Sequence, residues 1–398
     1  MPVCGIVAEF NPFHNGHKAL IDAAVAAGAD TVVCVMSGNF VQRGSPAVTD
    51  KRVRAKAALL NGADMILELP LPSSVSTAQR FAKGAIHLLK ATGCIEMLAF
   101  GSESGETSGL IKLSKAVDDP AVTAEMRAIM KGGATFAKAR QLAAAKIYGD
   151  ELASQLSQPN NVLGIEYLRE LRLQGLKLDA FTIKRVGAEH DSDNPSSGFA
   201  SASYLRANAN DIGALSEYVP VSSAEVYANA AASGLFPSDP GKLETAISAH
   251  LRRLSLNDLK LLPDISEGLE NRFYMAIRKS ASVKELEANL KTKRYTMARI
   301  RRLIMAAFLG VTAKDANTLP PYLRVIGFNE RGRRLLSVMK SKSTLPLDSS
   351  LVSLRLRGGA CERFARLEEF ATDIFGLTLP SVLPCGYEYT QQGVYPFS

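Results

Sequence analysis

The stretch Gly5-Ile6-Val7-Ala8-Glu9-Phe10-Asn11-Pro12-Phe13-His14-Asn15-Gly16-His17 begins as an apolar run and turns at once into His-x-Gly-His, at the head of a helically periodic segment spanning 16–27. An apolar strand feeding directly into a helix is the opening unit of a parallel α/β sheet, and in such sheets ligands bind outside the carboxyl ends of the strands. A helix start at that edge offers free N–H groups and the positive end of a dipole to phosphate. Gly16 lets the main chain approach a ligand, and two histidines one turn apart can converge on a single phosphate. Donors aimed at oxygens that gain charge during attack at an α-phosphate are what adenylyl transfer requires, because stabilisation there comes from position and electrostatics. The plainer alternative is that His14 and His17 only cap the helix. A metal centre has less support, since no carboxylate-plus-histidine cluster accompanies the pair at metalloprotease spacing, and no metal ligand is assigned.

Working outward, apolar runs at 3–9, 31–36, 64–68 and 95–100 alternate with helical patterns at 16–27, 50–61 and 74–92, a βαβαβαβ rhythm. Residues 106–157 read as Ala-rich helices, 160–174 as another helix and 178–184 as a further strand. Beyond about residue 225 strand signals fade and helical patterns take over. The expected fold is therefore α/β: a Rossmann-like nucleotide-binding domain with a parallel sheet at 1–215, followed by a mainly α-helical domain at 216–398.

The 398 residues support a two-domain reading. With 46% apolar and 22% charged residues the composition is that of a globular chain and excludes a mainly disordered one. Five cysteines without C-x-x-C spacing (Cys4, Cys34, Cys94, Cys361, Cys385) point to buried reduced thiols rather than a disulfide framework or zinc cage. No window reaches the roughly 18 apolar residues of a membrane span, and the first residues lack a basic segment ahead of an apolar one, so a cytoplasmic location is expected. The net charge of +8 is segregated: residues 1–250 hold 23 basic and 25 acidic side chains, residues 251–398 hold 24 and 14. A positive field confined to one part of a chain is the footprint expected of a nucleic-acid partner.

A second phosphate element, Ser201-Ala202-Ser203-Tyr204-Leu205-Arg206, resembles the distal S-[ST]-[ST]-x-x-R motif of the nucleotidyltransferase superfamily, departing from it at Ala202. The strings FNPFHNGH (10–17), MSGNFVQRG (36–44), FGSESG (100–105), QPNNVLGIEY (158–167), IKRVGAEHD (183–191) and KRYTMARIRRL (293–303) are together similar to the tRNA(Met) cytidine acetate ligase family. That resemblance implies an ATP-dependent ligase, with Mg²⁺ accompanying ATP, that activates acetate as acetyl-adenylate and passes the acetyl group to the wobble cytidine of elongator tRNA(Met), giving N4-acetylcytidine. It implies His14, His17, Ser203 and Arg206 as the catalytic set. The implied ATP contacts are Val7, Ala8 and Glu9 at the strand end, Phe10, Asn11, Pro12 and Phe13 in the turn, and Asn15, Gly16, Lys18 and Leu20 on the helix. Gly101, Asn160 or Asn161, and Arg185 complete them.

These last positions also have a chemical reading of their own. Gly101 and Arg185 end predicted strands, where a missing Cβ lets a nucleotide pack and a guanidinium can grip phosphate bidentately. Asn160-Asn161 follows Pro159 at a helix start, so one amide is expected to cap. Ser37–Phe40 after the second strand marks a possible border of the acetate or acceptor pocket. His190-Asp191 reads as loop residues near the site. The MKSKS string at 339–343 imitates the KMSKS signature of class I synthetases but reads as a basic loop, since 201–206 already fills that role.

Between residues 288 and 314 stand seven cations and no carboxylate. Ile300, Ile304 and Phe308 recur every four residues, so one helix face packs while cations occupy the rest. Lys293, Arg294, Arg299, Arg301 and Arg302 are the expected RNA contacts, with Arg331, Arg333, Arg334, Lys340 and Lys342 extending the track. Tyr295, Tyr322 and Phe328 are candidates for base stacking that read better as core. No DNA and no membrane partner is expected. The rival readings are a nucleotidyltransferase that adenylylates a small phosphorylated metabolite, which leaves the basic part idle, and an RNA-binding protein with a relic nucleotide fold.

Overall fold

The structure, a computed structural model, describes residues 2–185, 198–266 and 268–396. Its strands are β1 (Val3–Ala8), β2 (Thr31–Ser37), β3 (Phe40–Val41), β4 (Ser45–Pro46), β5 (Met65–Leu69), β6 (Met97–Ser102), β7 (Asp179–Lys184), β8 (Leu323–Phe328) and β9 (Leu347–Asp348). Seven form one sheet in the order β7-β6-β1-β2-β5-β8-β9, and β3 and β4 make a separate small hairpin. The neighbours from β7 to β5 are parallel, β8 runs antiparallel to β5, and β9 is parallel to β8. From β1 the chain progresses to one side through β2 and β5 and then returns to the other through β6 and β7. The strand order therefore reverses between β1 and β6, and the crevice at their carboxyl ends is where a doubly wound sheet binds its ligand.

The five longer strands expected in the first half are all present, within one or two residues of their expected ends. Two features differ from expectation. The last third, though mainly helical as read, supplies β8 and β9 to the sheet. The MKSKS string is not a loop: it falls at the end of the helix Glu330–Lys342, with Met339 in the core.

Apolar side chains pack both faces of the sheet. The helices Ala78–Ala91 and Pro159–Leu173 cover one face, whereas Asn15–Ala26, Lys51–Leu60 and residues up to Phe236 cover the other. The division at 215/216 runs through this second cluster, since Leu205, Leu215, Val226 and Tyr227 all belong to it. A third cluster joins Phe40, Leu71 and Val75 to the helices of the last third. The two halves thus share a sheet and a core.

A buried ionic network also joins them. Lys51, Glu68, Arg324, Glu368 and Glu388 are each at most 3% exposed. Lys51 Nζ lies 2.5 Å from Glu68 Oε1, 3.0 Å from Glu388 Oε2 and 3.9 Å from Glu368 Oε2, and Arg324 Nη1 donates to Glu68 Oε2 at 2.8 Å. Arg324 and Arg52 both donate to Glu388 as well. Burial together with the neighbouring Glu68 carboxylate pushes the Glu368 carboxyl up to about 8, so the fold holds it protonated at neutral pH. A carboxyl raised in this way binds more protons folded than unfolded, so its contribution to stability declines as pH rises from the ordinary glutamate range towards 8. Glu368→Gln removes that contribution, so its Tm is expected to gain on that of the wild type as pH rises from 5 to 8, whatever slope the other titrating groups impose on both. An equal loss of Tm at both pH values would mean that the carboxylate form is the one required.

Among the described residues no helix is long and apolar enough to cross a membrane. All five cysteines are free; Cys4, Cys34 and Cys361 are buried as expected, but Cys385 is exposed.

Candidate active site

After β1 the chain turns sharply, with Phe10 at φ 47, and the helix Asn15–Ala26 starts from His14 as N-cap. The Nδ1 of His14 accepts from the Gly16 N–H at 3.1 Å, and the Nδ1 of His17 accepts from the His14 N–H at 3.3 Å. Both histidines therefore cap the helix, which is the plainer reading. That role does not exhaust them. An imidazole whose Nδ1 accepts a hydrogen bond while neutral must carry its proton on Nε2. Burial, followed by the positive charges of Arg185 and Arg206, pulls the His14 imidazole down to about 3; burial, His14 and Arg185 hold His17 well below the ordinary histidine value. Both rings are then neutral at pH 7, with Nε2–H as the remaining donor. They stack at 3.8 Å, and His17 meets Phe10 edge-on at 4.9 Å. His14 Nε2 is buried with no hydrogen-bond partner among the described residues, as is Ser37 Oγ at the end of β2. Buried donors left open in this way are the exception in folded proteins, and at a helix start beside a sheet crevice an anionic oxygen is the partner that fits.

The other expected residues fall around this point in different ways. Arg206 Nη1 donates to the Asn11 carbonyl at 2.9 Å and Nη2 to Ser203 Oγ at 3.1 Å, so the distal motif is docked on the turn after β1. Ser201 caps the short helix Ala202–Ala207 by accepting from the Tyr204 N–H. Gly101 pairs with Ile183, and a Cβ placed on it would lie 3.4 Å from Arg185 Cγ, so the Arg185 side chain passes directly over the glycine. Glu103 spans the start of the helix Pro159–Leu173: its carboxylate accepts from the main-chain N–H of Asn160 and of Asn161 and from the Asn160 side chain. Asn161 is fully buried and its Oδ1 accepts from the Glu103 and Ser104 N–H groups, fastening the helix start to the loop after β6; contrary to expectation neither amide caps the helix, whose first N–H groups are taken by the Glu103 carboxylate. Val7, Phe13 and Leu20 are buried in the core, and Lys18 pairs with Asp22 one turn along its helix. Any contribution of Val7 and Leu20 to a ligand contact thus runs through the main chain. His190 and Asp191 lie outside the described residues.

A profile described as HIGH Nucleotidyl Transferase matches residues 1–385. A tRNA(Met) cytidine acetate ligase of Acetivibrio thermocellus is 34% identical, over 98% of this chain and 99% of its own length. The chain belongs to the tRNA(Met) cytidine acetate ligase family. Another ligase of this name, from Caldicellulosiruptor saccharolyticus, is 39% identical over 86% of both chains. Two crystal structures of Thermotoga maritima TmcAL superpose over 99% of this chain and of their own: an apo form with a TM-score of 0.93 at 30% identity, and one bound with alpha-thio ATP with a TM-score of 0.91 at 29%. The expected nucleotidyltransferase fold and ligase family are borne out.

Three residues that support the ligase site were not singled out in the sequence. Arg54, fully buried, donates to the main-chain carbonyls of Glu9, Ser37, Gly38 and Thr49, and so ties together the loops that leave β1 and β2. Tyr227 accepts from the Phe13 N–H at 2.8 Å, bracing the turn from beyond residue 215. Glu103 supplies the cap described above. None carries a local signal: each is an ordinary polar residue on a helix or loop until the fold brings it to the turn.

The basic run is less uniform in space than in sequence. Lys293 and Arg294 are exposed, whereas Arg301 forms a two-point bond with Glu287, one residue before the carboxylate-free window began. Arg299 donates to the Asp264 carbonyl at 2.6 Å and lies over the Tyr295 ring, with its centre 4.8 Å away. Arg302 is half-buried. Lys293, Arg294, Tyr295 and Arg272 line an open cleft of about 450 Å³ with Gly132 and Gly133. Arg333 and Arg334 each pair with Glu330, which offsets part of the second cluster's charge. Tyr295 and Tyr322 are buried and Phe328 packs on Tyr395, in keeping with core roles.

Proposed function

We propose that this chain activates acetate with ATP and transfers the acetyl group to the wobble cytidine of elongator tRNA(Met). The observation that carries this reading is the capped, neutral pair His14 and His17 at the end of β1, with His14 Nε2 buried and left without a partner among the described residues. In the first step an acetate oxygen attacks the α-phosphorus and the bond to the bridging oxygen breaks. Pyrophosphate leaves and acetyl-adenylate forms. No general base is needed, because acetate is already ionised at neutral pH. His14 and His17 bind the reacting phosphate oxygens, Ser203 and Arg206 hold the departing pyrophosphate, and Arg185 and Asn160 hold the nucleotide. In the second step cytidine N4 attacks the acetyl carbonyl, AMP leaves with the bonding electrons, and N4 releases a proton to solvent.

Mg²⁺ would stabilise charge on the phosphate oxygens. Among the described residues no group of three His, Cys, Asp or Glu side chains can hold a metal ion, and the nearby carboxylates of Glu9 and Glu103 are engaged by main-chain N–H groups, which suits an ion carried in by ATP itself. We assign the exposed cations Lys293 and Arg294 and the neighbouring Arg299, Arg301 and Arg302 to the tRNA backbone, and the cytoplasm as the place of reaction. The test is acetate-dependent exchange of labelled pyrophosphate into ATP without tRNA. Exchange that requires acetate supports an acetyl-adenylate; exchange driven by a phosphorylated metabolite and not by acetate would replace this reading with that of a metabolite adenylyltransferase.

A further inference from the structure

The hairpin formed by β3 and β4 sits between the ATP crevice and the basic helix Met297–Leu309, and its tip holds an arginine that neither the phosphate motifs nor the basic run includes. Three contacts fix that tip. The Gln42 N–H donates to the buried end of Glu9, Oε1, at 2.7 Å, which fastens the residue before the tip to the chain leaving β1. The Gly44 N–H closes the turn on the Val41 carbonyl at 2.9 Å, with Gly44 at φ 75. Gly44 is also pressed against the basic helix: a Cβ there would stand 2.5 Å from the Arg302 nitrogen and 2.6 Å from the Arg301 carbonyl carbon. Only glycine meets both demands, the left-handed backbone and the close approach. The root of the hairpin is equally fixed, since Phe40 is fully buried and meets Phe375 of the last third edge-on at 6.5 Å.

Arg43 is therefore carried, exposed, between two anchored neighbours, one touching the strand end of the ATP site and the other touching the basic helix. It also acts electrostatically on Glu9 together with Arg206 and Arg54, which places it within reach of the charges at the crevice.

We propose that Arg43 is a positioning residue that grips a phosphodiester of the acceptor RNA at the seam between the adenylate site and the basic helix. The inference rests on the function proposed above and deepens it. The chemistry is that of an arginine fork on a phosphate, and the pre-set hairpin leaves only the side chain of Arg43 to be ordered. An acyl group made at one end of the crevice reaches a base on a large folded RNA only if the strand holding that base is registered against the crevice. A cation carried on a fixed hairpin at the seam provides that register, whereas cations on the far face of the helix supply affinity alone.

The test uses full-length wild type, Arg43→Ala and Arg43→Lys, with two readouts: acetate-dependent pyrophosphate exchange without tRNA, and the rate of acetyl transfer as a function of tRNA concentration. Exchange is expected to stay within twofold of wild type in both variants. In Arg43→Ala the KM for tRNA is expected to rise about tenfold, the scale of one charge-assisted hydrogen bond, and Arg43→Lys should recover part of it. A parallel loss of exchange would place Arg43 on ATP and overturn the inference, as would an unchanged KM. Wild-type protein that exchanges in response to acetate but labels no tRNA would instead sink the proposed function, and the inference with it.

Discussion

Replacing His17 with alanine is expected to lower acetate-dependent pyrophosphate exchange by roughly 10²–10³-fold, the effect of removing one preorganised donor from a developing anion, and to leave tRNA binding unchanged. The reason is the division of labour within the imidazole. Its Nδ1 is occupied by the His14 N–H, and its Nε2 proton is what remains for phosphate. A second variant separates the two roles. In His17→Asn the side-chain oxygen can accept the cap hydrogen bond in place of Nδ1, but no donor stands where Nε2 did. His17→Asn should therefore regain the stability lost in His17→Ala, about 1 kcal/mol for a cap, and remain equally inactive. Thermal unfolding and exchange measured on the same preparations decide the matter. Recovery of activity in His17→Asn would mean that capping was the whole contribution of this residue.

The second large effect is structural. Glu68→Gln is expected to destabilise the protein by about 3–5 kcal/mol, the usual cost of breaking a buried ion network by removing one partner, which corresponds to roughly 4–6 °C in Tm for a chain of this length. Glu68 divides its two oxygens between Lys51 and Arg324, neither of which has access to water. Without it the two cations share Glu388. Glu368 is positioned to respond, because the charge on Glu68 is one of the causes holding its carboxyl protonated. In Glu68→Gln that repulsion is gone, and Glu368, 3.9 Å from Lys51 Nζ, is expected to ionise and offset part of the loss. The consequence is visible in pH dependence: the Tm gap between Glu68→Gln and wild type should narrow as pH rises from 5 to 8, because only the wild type loses the Glu368 contribution over that range. A variant that keeps the wild-type trend would show that Glu368 does not exchange roles with Glu68.

What could be read in advance divides along physical lines. The parallel strands of the first half were legible because each is a short apolar run bounded by turn residues, a pattern contained in a few neighbouring positions. The run Leu323–Phe328 has the same character, set between Pro321 and Asn329, but it stands among helical patterns, and nothing local says that it pairs with residues some 260 positions earlier. The same separation hid the ionic network. Nothing local marks Glu68, Arg324 and Glu388 as buried, and only the fold shows that they neutralise one another away from water. At the site, His14, His17 and Arg206 were legible because a motif fixes their spacing on a strand–helix junction. Asn160 and Asn161 stand as alternatives in the sequence because nothing local says which of them is buried; the fold buries Asn161 and binds both main-chain N–H groups to Glu103. The basic run looked unrelieved because Glu287 lies just upstream of it, one helix back from Arg301.

One chain is expected both to make an acetyl-adenylate at the β1–β6 crevice and to spend it on a cytidine of tRNA. The most direct measurement is to incubate the protein with ATP, labelled acetate and bulk tRNA, digest the RNA to nucleosides and find where the label resides. Label is expected in N4-acetylcytidine, dependent on ATP and lost in His17→Ala. Label absent from cytidine, or present without ATP, would contradict it.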